Sequence, residues 1–167
     1  YEFLYYDPEV PTEQSAPTIQ VFPDGGQVFV RRSGERPSVF TFRAGPPLGR
    51  QRYEAGEHGG YGHADPANGS FLLYLCNRPA VSGPGPTYRR DTALHNTITI
   101  DGQGQVGDST VWLPEFFPPD VLCPPAQFRN DHGSVSISAS LTPAYLPHLE
   151  VELCHRSLWV DPGLRIV

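Results

Sequence analysis

Three stretches of this chain carry residue types able to do acid–base, metal or anion chemistry. The first is Glu57-His58-Gly59-Gly60-Tyr61-Gly62-His63-Ala64-Asp65, which packs two imidazoles, two carboxylates and a phenol into nine residues. Its glycines let the backbone turn sharply and let a ligand come close. The second is Tyr88-Arg89-Arg90-Asp91-Thr92-Ala93-Leu94-His95-Asn96-Thr97, in which two arginines precede a histidine at the start of an expected strand. Between them lies the turn Ser82-Gly83-Pro84-Gly85-Pro86. His63 and His95 can act as two imidazole ligands from neighbouring strands, a donor type that zinc favours and that a carboxylate or water completes. The alternative is that each imidazole makes one backbone hydrogen bond and packs against a turn. Arg89 and Arg90 can hold a carboxylate or sulfate through paired N–H donors, or can line a solvated strand edge.

Other candidates are blander. His132 sits in the turn Asn130-Asp131-His132-Gly133, His148 follows Pro147, and His155 precedes Arg156 between strands. Each reads as structural or solvent-exposed. Cys76, Cys123 and Cys154 lie in apolar surroundings without metal-ligand spacing. They read as small buried hydrophobes, with a strand-joining pair as the alternative. No nucleophile elbow, phosphate loop, HExxH helix or dinucleotide fingerprint is present, which removes several enzyme classes.

The scaffold for these residues is all-β. The chain has 19 Pro and 17 Gly, spread evenly; helix interiors exclude the one and disfavour the other. Period-2 alternation separated by turn chemistry predicts strands at Thr18–Phe22, Gln27–Arg32, Ser38–Arg43, Gly69–Leu75, Asn96–Asp101, Ser134–Leu141, Leu149–Leu153 and Ser157–Val160, with another beginning at Leu164. Many short strands with Gly/Pro turns predict an antiparallel β-sandwich. The Pro- and aromatic-rich stretch Pro114–Pro125 is expected to be an ordered loop over one sheet. No internal repeat or low-complexity tract is visible.

Composition narrows the partners. A length of 167 residues with 38% hydrophobic residues fits one domain with a real core. The net charge is −6, and all 12 basic residues are Arg. A chain built to hold a nucleic-acid backbone shows a basic excess, so nucleic acid is not an expected partner. A polyanionic sugar remains compatible, because a few Arg in one groove act locally. No apolar run is long enough to span a membrane, and Tyr1–Tyr6 lacks a signal-peptide layout. The missing Met, the apolar start and the ending Leu164–Val167 lead us to expect an excerpt of a larger protein, truncated at both ends of one domain covering residues 1–167.

Several motifs together resemble the heparinase II/III-like family: Phe40-x-Phe42-x-Ala44-Gly45-Pro46, Gly62-His63-x-Asp65, Gly69-Ser70-Phe71-x-Leu73-Tyr74, and Tyr88-Arg89-Arg90-x-Thr92-x-x-His95-Asn96-Thr97-x-x-x-Asp101-Gly102-x-Gly104-Gln105. Order, spacing and strand context agree over nearly the whole chain. The resemblance implies a supersandwich-like carboxyl-terminal β domain beside an upstream α/α toroid. It also implies β-elimination on an acidic polysaccharide, and a periplasmic or secreted location. In this reading zinc is held by His63 and His95, with Ser82, or Gly83 if the alignment slips, at the place of the family's third-ligand Asp. Arg89, Arg90 and Asn96 fall on substrate-binding or structural positions. Where the family has a His two residues before the first zinc ligand, this chain has Tyr61, so Tyr61 or His58 would supply the catalytic group. Three functions are consistent with these residues: the β domain of a working lyase, a catalytically degenerate carbohydrate-binding or structural module, and a uronate epimerase.

Overall fold

The computed structural model describes residues 18–57, 64–85, 88–111, 121–146, 149–161 and 163–167. Two antiparallel sheets stack as a β-sandwich. The first has five strands in sequential order: β1 (Ile19–Phe22), β2 (Gln27–Arg32), β3 (Ser38–Arg43), β4 (Ser70–Leu75) and β5 (Arg78–Val81). The second has three: β6 (Gln127–Asp131), β7 (Ser134–Ser140) and β8 (His155–Val160). One short helix, α1 (Arg50–Glu54), and 3-10 turns at Thr92–Leu94 and Thr142–Tyr145 complete the described elements.

Alternation sorts each strand into two faces. Val28 pairs with Phe42 and Val30 with Phe40, and Phe40 and Phe42 in turn face Leu73 and Phe71. These inner residues meet Val135, Ile137, Ala139 and Val160 of the second sheet in a dry core. Phe29, Thr41 and Leu72 form the outer row at the same level, with Gln27, Arg43 and Ser70 beside it. That outer face carries the candidate site.

Turns fix the register. Gly26 sits at φ 61°, where a Cβ would come within 1.8 Å of the Ala44 carbonyl oxygen. Only glycine permits that approach. Asp24 in the same turn accepts a hydrogen bond from the Gln51 N–H at 2.7 Å, satisfying a donor at the start of α1. The β4–β5 hairpin turns through Cys76 and Asn77 at φ 51° and 62°, and the β6–β7 hairpin through His132 and Gly133 at φ 48° and 86°. Paired positive φ values match the twist of flanking antiparallel strands.

Several expected elements need correction. Asn96–Asp101 is not a strand; only Ile100 bridges, to Gln103. Its carbonyls go to side chains instead of a ladder: Arg156 donates to Asn96 O at 2.9 Å, and the Tyr145 hydroxyl donates to Ile98 O. Leu149–Leu153 is likewise irregular, with Val151 N–H bonded back to Leu149 O at 2.9 Å. From Leu164 onward there is a single bridge, Val160 to Ile166, rather than a full strand. Strands β5 and β6 were not anticipated, because Arg78–Val81 and Gln127–Asp131 lack a clean apolar alternation. Most of Pro114–Pro125 lies outside the described residues; in its described part Val121 and Cys123 are buried. All three cysteines are free, Cys76 exposed and Cys123 and Cys154 buried.

Candidate functional site

A groove of about 490 Å³ runs over the outer face of the five-stranded sheet, its lining including Phe29, Thr41, Leu72 and Tyr74. Three groups able to do chemistry line it as well: Arg43, Asp65 and His95. Arg43 ends β3 on the outer face, set there by the same alternation that turns Phe42 inward. Asp65 lies just before the Pro66–Gly69 turn that feeds β4. His95 follows the 3-10 turn Thr92–Leu94, its N–H bonded to Thr92 O at 3.0 Å.

A buried polar web holds that turn. The Thr92 N–H donates to Asp108 Oδ1 at 2.6 Å, and its hydroxyl donates to Pro66 O at 2.9 Å. Gln105, fully buried, accepts from Asn68 N–H at 2.8 Å and donates to Asn68 O at 2.9 Å. Its amide also reaches the Tyr145 hydroxyl at 3.3 Å. Burial pushes the Tyr145 phenol up to about 12, so the group stays a neutral donor. Gly104 is required here, since a Cβ would fall 2.3 Å from the Asp108 carboxylate and 2.6 Å from Thr92 Oγ1. Satisfied buried networks of this kind fix one arrangement of their members. The web therefore positions Asp65 and His95 relative to each other.

Asp65 is the electrostatic centre. Arg90 Nη1 donates to Asp65 Oδ1 at 2.7 Å, and the Arg90 side chain is only 8% exposed. The other carboxylate oxygen, Oδ2, lies 3.8 Å from His95 Nε2, too far for a direct hydrogen bond. Arg43 donates to Pro47 O at 3.2 Å, while its Nε is buried with no partner among the described residues. Burial lowers the Arg43 pKa from the usual arginine value, and the charge of Asp65 opposes that shift.

The other expected site residues fall in varied places. Arg89 is exposed and donates from Nε to both oxygens of Asp91, at 3.0 and 3.1 Å. Asn96 is tied down by Arg156, which bonds its carbonyl at 2.9 Å and its side-chain oxygen at 3.1 Å while packing 5.1 Å from the Phe71 ring. Ser82 is exposed. A Cβ on the next residue, Gly83, would lie 3.5 Å from His95 Nδ1. His58, Tyr61 and His63 lie outside the described residues. Arg43 was not singled out from the sequence, although its place on the polar face of an alternating strand was a usable signal. Arg156 was missed as an anchor because its partners are remote in sequence.

A model of the family described as Heparinase II/III-like, C-terminal, matches residues 15–167. The chain belongs to the heparinase II/III-like family. That membership gives the sandwich a polysaccharide-lyase context and points to a polysaccharide as substrate. No curated protein matches the chain. Among the described residues of this heparinase II/III-like domain, no helix is long and apolar enough to cross a membrane.

The donors fit a zinc ion in part. Ligands at about 2.0–2.2 Å around a tetrahedral zinc stand roughly 3.3–3.5 Å apart, so a small movement of Asp65 Oδ2 and His95 Nε2 from 3.8 Å would suffice. Among the described residues no group of three or more His, Cys, Asp or Glu is gathered.

Proposed function

We propose that this chain is the β domain of a lyase that cleaves a uronate-containing acidic polysaccharide by β-elimination. The observation that carries the reading is the groove on the outer sheet face, where Asp65, His95 and Arg43 converge on a floor that mixes polar Gln27, Thr41 and Ser70 with apolar Phe29 and Leu72. In such a reaction a base removes the proton α to the uronate carboxyl. The bond to the 4-linked sugar breaks, an acid protonates the departing oxygen, and a C4–C5 double bond remains. Tyr61 or His58, a few residues before Asp65 in sequence, would supply the acid–base group on this domain. A phenol has an ordinary pKa of about 10 and needs a cationic or donor-rich setting to act as base. His95 and His63 would hold zinc, with Asp65 Oδ2 or water completing the set. Bound there, zinc would order this wall of the groove and add positive charge near the developing carbanion. An upstream α/α toroid would form the facing wall, and the protein would work in the periplasm or outside the cell.

The test is ultraviolet absorbance of newly formed unsaturated uronates. The full protein with its toroid should turn over, and residues 1–167 alone should not; turnover by the isolated chain would overturn the two-wall reading. Elemental analysis should find about one zinc per chain, lost in His63→Ala and His95→Ala. A second reading, a binding module without catalysis, is favoured by the absence of a donor side chain at Gly83 opposite His95. It predicts sugar binding without turnover by the full protein.

A further inference from the structure

Among the described residues that line or adjoin the groove, the charges do not balance. Asp65 is the one carboxylate facing it, and its Oδ1 is already engaged by Arg90 at 2.7 Å. Arg43 adds a second guanidinium to the same floor. Among the described residues Arg43 has one carbonyl acceptor, Pro47 O at 3.2 Å, and its Nε is buried without a partner. A buried guanidinium whose charge is only partly offset is costly, and an anion seated in the groove that Arg43 lines would offset that charge. This happens in a chain of net charge −6, so the local excess of positive charge is not a surface-wide feature. Phe29, Leu72 and Tyr74 line the same trough, a surface suited to the apolar faces of sugar rings.

We infer that Arg43 is the substrate-anchoring residue of this groove, binding the carboxylate of one uronate ring so that the ring lies over Phe29 and Leu72. The inference rests on the uronate-lyase reading above and names the group that reads the uronate charge. Arg90 is then a positioning residue that holds Asp65, and Arg43 makes the contact with the ligand. A charge-assisted hydrogen bond to a carboxylate is stronger than a neutral one and is lost when the sugar carries no charge.

The experiment compares two probes on the full protein by calorimetry: a glucuronate-containing tetrasaccharide and the same tetrasaccharide with its carboxyls reduced to alcohols. The wild type should bind the uronate form about 10- to 100-fold more tightly than the reduced form. Arg43→Gln should erase that preference, and Arg43→Lys should restore part of it. In turnover, KM should rise in Arg43→Gln by a similar factor with kcat changed less. The probe comparison on the wild type needs no variant, so it stands even if Arg43→Gln fails to fold. Equal binding of the two probes by wild type overturns the inference. So does an unchanged charge preference in a folded Arg43→Gln, which leaves the uronate reading intact. Failure of a folded wild type both to bind the uronate probe and to turn over polymer overturns both.

Discussion

Replacing Asp65 by Asn removes a counter-charge of Arg90 while keeping nearly the same shape. The pair is short, 2.7 Å, and the Arg90 side chain is 8% exposed against 30% for Asp65. Removing one partner of a fully buried pair costs about 3–5 kcal/mol, because the other charge stays buried without compensation. The partial exposure of Asp65 lets water reach the site, so the expected loss is about 2–3 kcal/mol. At roughly 2–4 °C per kcal/mol for a domain of this size, Tm should fall by about 4–12 °C. Urea denaturation of wild type, Asp65→Asn, Arg90→Met and the double variant gives the coupling directly. The two side chains should be coupled by at least about 1 kcal/mol, with the double variant less damaged than the sum of the singles. A loss below about 0.5 kcal/mol in Asp65→Asn, or strictly additive singles, would refute the assignment of Arg90 as the group that holds Asp65.

The remaining predictions concern the core, the turn and the edge of the groove. In the native protein a thiol reagent should label Cys76 alone, with Cys123 and Cys154 reacting only on unfolding; early labelling of either would contradict their burial. Burial holds the Cys123 thiol at about 12 and the Tyr145 phenol at about 12 in the folded state. Raised values favour the neutral forms. Their stabilisation is therefore complete below the unfolded values of about 8.5 and 10 and should be lost as pH climbs toward 12, seen as a falling urea midpoint. Gly83→Asp should raise zinc affinity modestly, because a carboxylate side chain starting 3.5 Å from His95 Nδ1 can accept its N–H and leave Nε2, on the Asp65 side, for the metal; unchanged metal binding in a folded variant would detach Gly83 from the site. Gly26→Ala should destabilise by about 3 kcal/mol or more, since its Cβ would meet the Ala44 carbonyl at 1.8 Å and backbone must move. A circular-dichroism melt within error of wild type would refute it.

Much of this molecule was legible in one dimension. Alternation in Gln27–Arg32 and Ser38–Arg43 determined which residues face the core, because a strand puts successive side chains on opposite faces. The Pro and Gly content excluded an α-rich domain, and the joint motifs determined the family. That Asp65 and His95 carry polar groups close to an apolar strand was also visible, and both line the groove.

Tertiary structure decided the rest, by bringing together partners distant along the chain. Asn96–Asp101 alternates as well as any strand, yet Arg156 and Tyr145, 60 and 47 residues away from the carbonyls they bind, take the acceptors a ladder would need. Arg90 looked like an anion binder beside Arg89, but its carboxylate partner sits 25 residues earlier. That Gly83 comes up against His95 depends on a backbone direction that composition does not encode. Period and turn chemistry are local properties and can be read from neighbours. Burial, charge balance and the partner of a given guanidinium depend on which remote segments the fold places side by side.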